Sequence, residues 1–168
     1  RNRFLQRNYS TDDFQRACGI LKSYQISFSV NVMIGFPYEK REMVFDAVDL
    51  LRNIKPDGIS THIYNPYHGS EMRKICEKEG MIDPDLIAED FFQMDYLLNN
   101  PTISRADILG LFRTIPLYVE MDKKEYVRIR EAERFDDEGN KIFKQLKKEF
   151  YALKGWDGCK TEIEETLG

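Results

Sequence analysis

Two histidines, one carboxylate and three cysteines are the side chains whose types invite chemistry: His62, His68, Glu39, Cys18, Cys76 and Cys159. His62 sits in the alternating run Ile59-Ser60-Thr61-His62-Ile63-Tyr64. There it suits a base or a ligand as well as a histidine hydrogen-bonded on a polar sheet face. His68 lies in Asn65-Pro66-Tyr67-His68-Gly69, a loop position from which a side chain can reach a substrate. Glu39 follows Gly35-Phe36-Pro37 and fits either a ligand contact or the first turn of a helix, where a carboxylate complements the helix dipole. The cysteines are too dispersed for a disulfide framework or a metal cluster, which points to buried or surface thiols and a reducing, cytoplasmic setting. There is no Ser-His-Asp order, P-loop, G-x-G-x-x-G or His-x3-His pattern. Residue types alone therefore specify a polar ligand site and leave its reaction open.

The elements that must position this site begin with Ile26–Glu39, I-S-F-S-V-N-V-M-I-G-F-P-Y-E. Ile26, Phe28, Val30, Val32 and Ile34 alternate with Ser27, Ser29, Asn31 and Met33, a period of two that predicts a strand over 26–34. Gly35 permits a turn that a β-carbon would oppose, and Pro37 holds Phe36 extended. Glu39 then opens an amphipathic helix ending before Pro56. Asp57-Gly58 turns into a second strand over 59–64. Upstream, Ser10 or Thr11 caps a helix to about residue 24, with Phe14, Ala17, Cys18 and Leu21 on one face. Helix–strand–helix–strand with short connections predicts parallel neighbouring strands. Their C-terminal ends, Gly35-Phe36-Pro37 and Asn65-Pro66-Tyr67-His68-Gly69, should therefore converge, which is where α/β folds bind ligands. Ser29 and Asn31 should share a polar face with Ser60 and His62, lining a wet lumen or lying exposed.

After residue 80 the pattern is almost entirely helical, which divides the chain into an α/β part, 1–80, and a helical part, 81–168. Ser70 to Glu79 reads as a short helix closed by Gly80, and Asp83-Pro84 as a further helix start. Asn99-Asn100-Pro101 is a loop. Ser104 caps a helix that Pro116 should kink or break. A charged helical stretch follows over 121–134, then an acidic turn over 136–140. Ile142, Phe143, Leu146, Phe150 and Leu153 form the apolar stripe of a last helix whose lysines face solvent. With 25 basic against 29 acidic residues the net charge is −4. That balance argues against a nucleic-acid-binding surface and leaves a small-molecule substrate as the expectation. No apolar run approaches the ~20 residues of a membrane span.

Arg7-Asn8-Tyr9-Ser10-Thr11-Asp12-Asp13-Phe14, then N-V-M-I-G-F-P-Y-E (31–39) and Y-N-P-Y-H-G-S-E (64–71), resemble in order and spacing the later part of radical S-adenosylmethionine enzymes. The similarity is greatest to the class with an N-terminal cobalamin-binding domain, and it covers about the first half of the chain. It implies a fold: α/β, the last strands and helices of a partial (β/α)6 TIM-type barrel followed by a mostly helical C-terminal region. It also implies an activity, reductive cleavage of S-adenosylmethionine to a 5′-deoxyadenosyl radical, with methyl transfer in cobalamin-dependent members. Cofactor-binding positions follow from the matching motifs: Ile34, Gly35, Phe36 and Pro37 at the end of one strand, and Tyr64, Asn65 and Pro66 at the end of the next. Ser29, Asn31, His62 and His68 would face substrate, and Arg1 or Arg7 would match basic residues near the cofactor carboxylate.

The sequence departs from that family in three places. The elbow carries one more residue before Glu39 than many members have, Gln25 stands where a glycine is usual, and the Cys-x3-Cys-x2-Cys triplet that ligates a four-iron four-sulfur cluster is missing. The resemblance therefore implies that the cluster ligands, and any cobalamin, belong to the rest of a parent polypeptide, and that this chain alone is inactive. A non-catalytic α/β binding module with a helical partner-docking tail is the alternative from another class. A barrel enzyme using His62 and Glu39 as acid and base is a third.

Overall fold

The computed structural model describes residues 8–86 and 95–155. Arg1, Arg7 and Cys159, together with the expected helix beyond Pro84 where it passes residue 86, fall outside them. Helix α1 (Thr11–Ser23) begins as its sequence requires. Ser10 Oγ accepts from the Asp13 amide while Asp13 accepts from the Ser10 amide, a reciprocal capping box. Its apolar stripe is only partly used: Cys18 is buried, Phe14 and Leu21 are half-buried, and Ala17 is exposed. Gln25 then takes φ 56°, the left-handed turn for which glycine is the usual choice.

Strand β1 (Ser29–Ile34) is shorter at its start than its alternating pattern. The ladder opens at Phe28, whose amide donates to Asp57 Oδ2 and whose carbonyl accepts from the Asp57 amide, both at 3.0 Å. Residues 26 and 27 lie before that anchor and are exposed. Helix α2 (Arg41–Ile54) starts two residues after Glu39 rather than at it, and ends on left-handed Lys55 just before Pro56. Strand β2 (Gly58–Ile63) runs parallel to β1, with Asn31 opposite Ser60 and Met33 opposite His62. The expected parallel pairing and its face assignment are thus both present. Ser29, Asn31, Met33 and Ser60 are exposed on one face, with His62 half-buried among them. Val32 and Ile34 lie buried on the other.

Helix α3 (Glu71–Lys78) is capped by Ser70 and closed by Gly80 at φ 67°, as its sequence predicts. Arg73, 2% exposed, carries its guanidinium to the carbonyls of Asp83, Pro84 and Leu86 and so fastens the following turn. Helix α4 (Arg105–Glu120) is capped by Ser104 and is not broken at Pro116. Proline costs that helix one backbone donor and crowds the preceding turn. Burial of Ile115, Leu117, Tyr118 and Val119 offsets the cost. Arg52 Nη1 separately closes the helix end by donating to the carbonyls of Tyr118, Val119 and Met121.

The charged stretch after α4 is not one helix. A 3-10 turn (Lys123–Glu125) leads into the short α5 (Tyr126–Glu131). Arg113 ends that element by donating to the carbonyls of Ala132 and Arg134, its guanidinium lying over the Phe135 and Phe143 rings. The acidic run is likewise no separate turn. Asp136 caps α6 (Asp137–Lys154), and Asp137 and Glu138 sit in its first turn, where the dipole favours them. Gly139 is required there, since a β-carbon would stand 2.1 Å from the Arg134 carbonyl oxygen. Of the α6 stripe, Leu146 is buried while Leu153 remains 65% exposed.

One continuous apolar core joins the sheet to these helices, from Val32, Ile34, Val44 and Val48 to Ile108, Leu111, Ile115 and Leu146. An ion-pair network reinforces it. Glu133, 6% exposed, accepts from Arg41, Arg130 and the Tyr118 hydroxyl, binding α2, α4 and the end of α5 together.

Candidate functional site at the strand ends

The two strand ends meet as parallel pairing requires. The Tyr64 amide donates to the Ile34 carbonyl at 2.7 Å, carrying the ladder one bond past β2. Beyond it the Phe36 and Tyr64 rings stack with centroids 4.5 Å apart and planes 23° from parallel. Both rings are half-buried at the mouth of the sheet. Burial, and then the neighbouring Cys76, pushes the Tyr64 phenol up to about 12, so it stays neutral.

Gly35 turns at φ 88°. Its amide donates to Glu39 Oε2 at 2.6 Å, so the Glu39 carboxylate holds the elbow from within. Glu39 is 8% exposed and belongs neither to the first turn of α2 nor to an open surface. The Glu39 amide returns a bond to the Phe36 carbonyl at 3.0 Å. Pro37 and Pro66 are buried, and Tyr38 adopts φ 60° just after the elbow.

The remaining polar groups of the elbow are taken by residues that the sequence pattern did not nominate. Tyr96 donates its hydroxyl to the Gly35 carbonyl at 3.0 Å. Asn100 Nδ2 donates to the Phe36 carbonyl at 2.8 Å and to the Tyr96 oxygen at 3.1 Å. Thr102 Oγ1 donates to the Glu39 carbonyl at 2.6 Å. From the other strand end, Asn65 Nδ2 donates to the Asp95 carbonyl at 2.9 Å, and the Leu97 amide donates to Asn65 Oδ1 at 3.2 Å. Residues 95–102 thus clasp both strand ends at once. Burial lifts the Tyr96 phenol to about 12; Asn100 opposes that rise and the Glu39 charge adds to it. The only sequence signal for this clasp is the loop-forming Asn99-Asn100-Pro101, which gives no hint of its target.

The other nominated residues divide between core and open face. Ile34 is 1% exposed with its side chain in the core, so its contribution to the strand end is its carbonyl. Ser29 and Asn31 lie on the open polar face. His62 joins them, its Nε2 3.0 Å from Ser60 Oγ. His68 is exposed, with Nε2 3.1 Å from the Leu86 carbonyl oxygen. With Glu39 engaged by the Gly35 amide, its carboxylate serves the elbow rather than an acid–base pair with His62. No cluster of three or more metal-ligating side chains occurs among the described residues, and no described helix is long and apolar enough to cross a membrane.

Three curated proteins resemble part of this chain. The chain is 27% identical over 111 residues to a probable threonylcarbamoyladenosine tRNA methylthiotransferase of Pyrococcus abyssi, covering 61% of this chain and 25% of that protein. A protein of the same description from Methanocaldococcus jannaschii is 26% identical over 107 residues. A tRNA-2-methylthio-N(6)-dimethylallyladenosine synthase of Caldicellulosiruptor saccharolyticus is 27% identical over 93 residues, 54% of this chain and 19% of that one. The chain therefore spans a quarter or less of the length of these curated relatives. These likenesses support a radical S-adenosylmethionine relationship in the broad sense and do not speak for the cobalamin class. No protein-family model and no solved structure matches the chain.

Proposed function

We infer that this chain is part of a radical S-adenosylmethionine enzyme and contributes one wall of the pocket for that cofactor. The observation that carries the reading is the junction of the two parallel strand ends, where the Phe36–Tyr64 stack meets the glycine elbow. A half-exposed aromatic pair mounted on a glycine turn suits the flat face of an adenine. In this reading β1 and β2 are the last two strands of a partial barrel. Neither is paired to a further strand among the described residues, and one face of the sheet is left bare. The bare face, with Ser29, Asn31 and His62, then lines the lumen where substrate lies.

When bound, S-adenosylmethionine and a four-iron four-sulfur cluster held elsewhere in the parent polypeptide supply reductive carbon–sulfur cleavage. The residues of this chain bind and orient. Phe36 and Tyr64 provide the stacking surface, and the Gly35 turn brings backbone close to it. The charge balance of this chain, 25 basic against 29 acidic residues, favours a small-molecule substrate. The names of the three relatives favour a second reading, in which the substrate is a tRNA adenosine that receives a methylthio group.

The test is anaerobic reconstitution of the full-length polypeptide carrying this chain, with reductant and S-adenosylmethionine. Formation of 5′-deoxyadenosine is expected; an intact cluster that yields none would overturn the reading. Titration with unmodified tRNA at several salt concentrations separates the substrates. Tight binding with a steep salt slope would favour tRNA, and its absence a small molecule.

A further inference from the structure

We propose that Tyr96 and Asn100, which lie in the helical part of the chain, are positioning residues for the bound nucleoside cofactor, because they fix the Gly35–Phe36 peptide on which the aromatic wall is mounted. This rests on the reading of the strand ends as an S-adenosylmethionine pocket and adds to it a second structural region. Gly35 and Phe36 form a peptide with no regular secondary structure of its own. Such a segment, containing a glycine at positive φ, is conformationally permissive unless something over-determines it. Here its polar groups are engaged in succession. The Gly35 amide bonds Glu39, the Gly35 carbonyl bonds Tyr96, and the Phe36 carbonyl receives both the Asn100 amide group and the Glu39 backbone amide.

The Tyr96 ring also fills the space over Gly35, since a β-carbon there would meet Tyr96 Cε2 at 2.7 Å. Displacing the backbone that carries the Phe36 ring therefore requires breaking bonds made by residues some 60 positions later in the chain. The same segment reaches the other strand end through Asn65, so the spacing of the two aromatic rings is set from one loop. Tyr96 is 2% exposed and its phenol stays protonated, as a donor to a carbonyl must.

The variants Tyr96→Phe and Asn100→Asp remove the donors and keep the shapes. In the full-length protein, Tyr96→Phe is expected to weaken S-adenosylmethionine binding about tenfold, the scale of one buried hydrogen bond. The Michaelis constant for the cofactor should rise while kcat at saturating cofactor and the cluster absorbance stay unchanged. Amide exchange at Gly35 and Glu39 should accelerate in both variants. Faster exchange with unaltered cofactor affinity would overturn the proposal, leaving Tyr96 and Asn100 with a structural role alone. Failure of the unsubstituted protein to bind S-adenosylmethionine would instead overturn the pocket reading, and this inference with it.

Discussion

Replacing Gly35 by alanine tests the elbow at its most constrained atom. The backbone there has φ 88°, and the added β-carbon would stand 2.7 Å from Tyr96 Cε2 and 3.2 Å from Cδ2. An L-residue in left-handed backbone costs about 1–2 kcal/mol. Overpacking against a ring that is itself buried adds about 1–3 kcal/mol. The gain from a stiffer unfolded chain returns only about 0.4–1 kcal/mol. The net destabilisation is therefore roughly 1–4.6 kcal/mol, or about 2–18 °C in Tm for a chain of this size. Gly19→Ala is the matched control. Gly19 lies inside α1 with nothing within 4 Å of its β-carbon position, so the same change should stabilise. Thermal unfolding followed by circular dichroism reads both variants. If Gly35→Ala melts within a degree of the unsubstituted chain, or above Gly19→Ala, the account of the elbow is wrong.

Glu133→Ala strips the shared acceptor from Arg41, Arg130 and Tyr118. Leaving those donors unpaired should cost about 3–5 kcal/mol in urea unfolding, and Arg41→Ala on top should add much less than it does alone. Full additivity would mean that the network is not one unit. Alkaline pH should loosen the core. Burial raises the Tyr96 and Tyr64 phenols from 10.0 to about 12, and Tyr118, bonded to Glu133, is raised as well. A raised phenol binds its proton more tightly in the folded state. Its contribution is complete below pH 10 and is lost as pH rises through the folded value. At about 1.4 kcal/mol per pKa unit, Tyr96 alone accounts for roughly 3 kcal/mol across that window. A buried fraction of the tyrosine ionisation read at 295 nm should therefore be delayed and coincide with unfolding; complete ionisation of all tyrosines near pH 10 without unfolding would refute it.

Much of the strand-end geometry was legible before any coordinates. The alternation in 26–34, the Gly35 and Pro37 punctuation and the short helix between two strands imply parallel neighbours with convergent ends, and Tyr64 does meet Ile34 there. Ser10, Ser70 and Ser104 each cap the helix that follows, because a cap is settled within four residues. Local rules misled where a distant group intervened. Pro116 reads as a kink or break, yet α4 passes it unbroken because its flanking residues Ile115, Leu117 and Tyr118 are buried in the shared core. Glu39 reads as a helix opener, yet the Gly35 turn bends its carboxylate back onto an amide.

Sequence alone therefore determined most of the order of elements, the two faces of the sheet and the convergence of its strand ends. Those follow from near-neighbour sterics, periodicity and capping, which act over a few residues. Only the tertiary structure decided what holds that place. Tyr96, Asn100 and Thr102 carry no local signature of their partners, because a hydrogen bond across some 60 residues depends on how α4 and the loop before it settle on the sheet. That settling is a packing outcome of one shared core, in which Ile34 and Ile108 belong to the same apolar cluster.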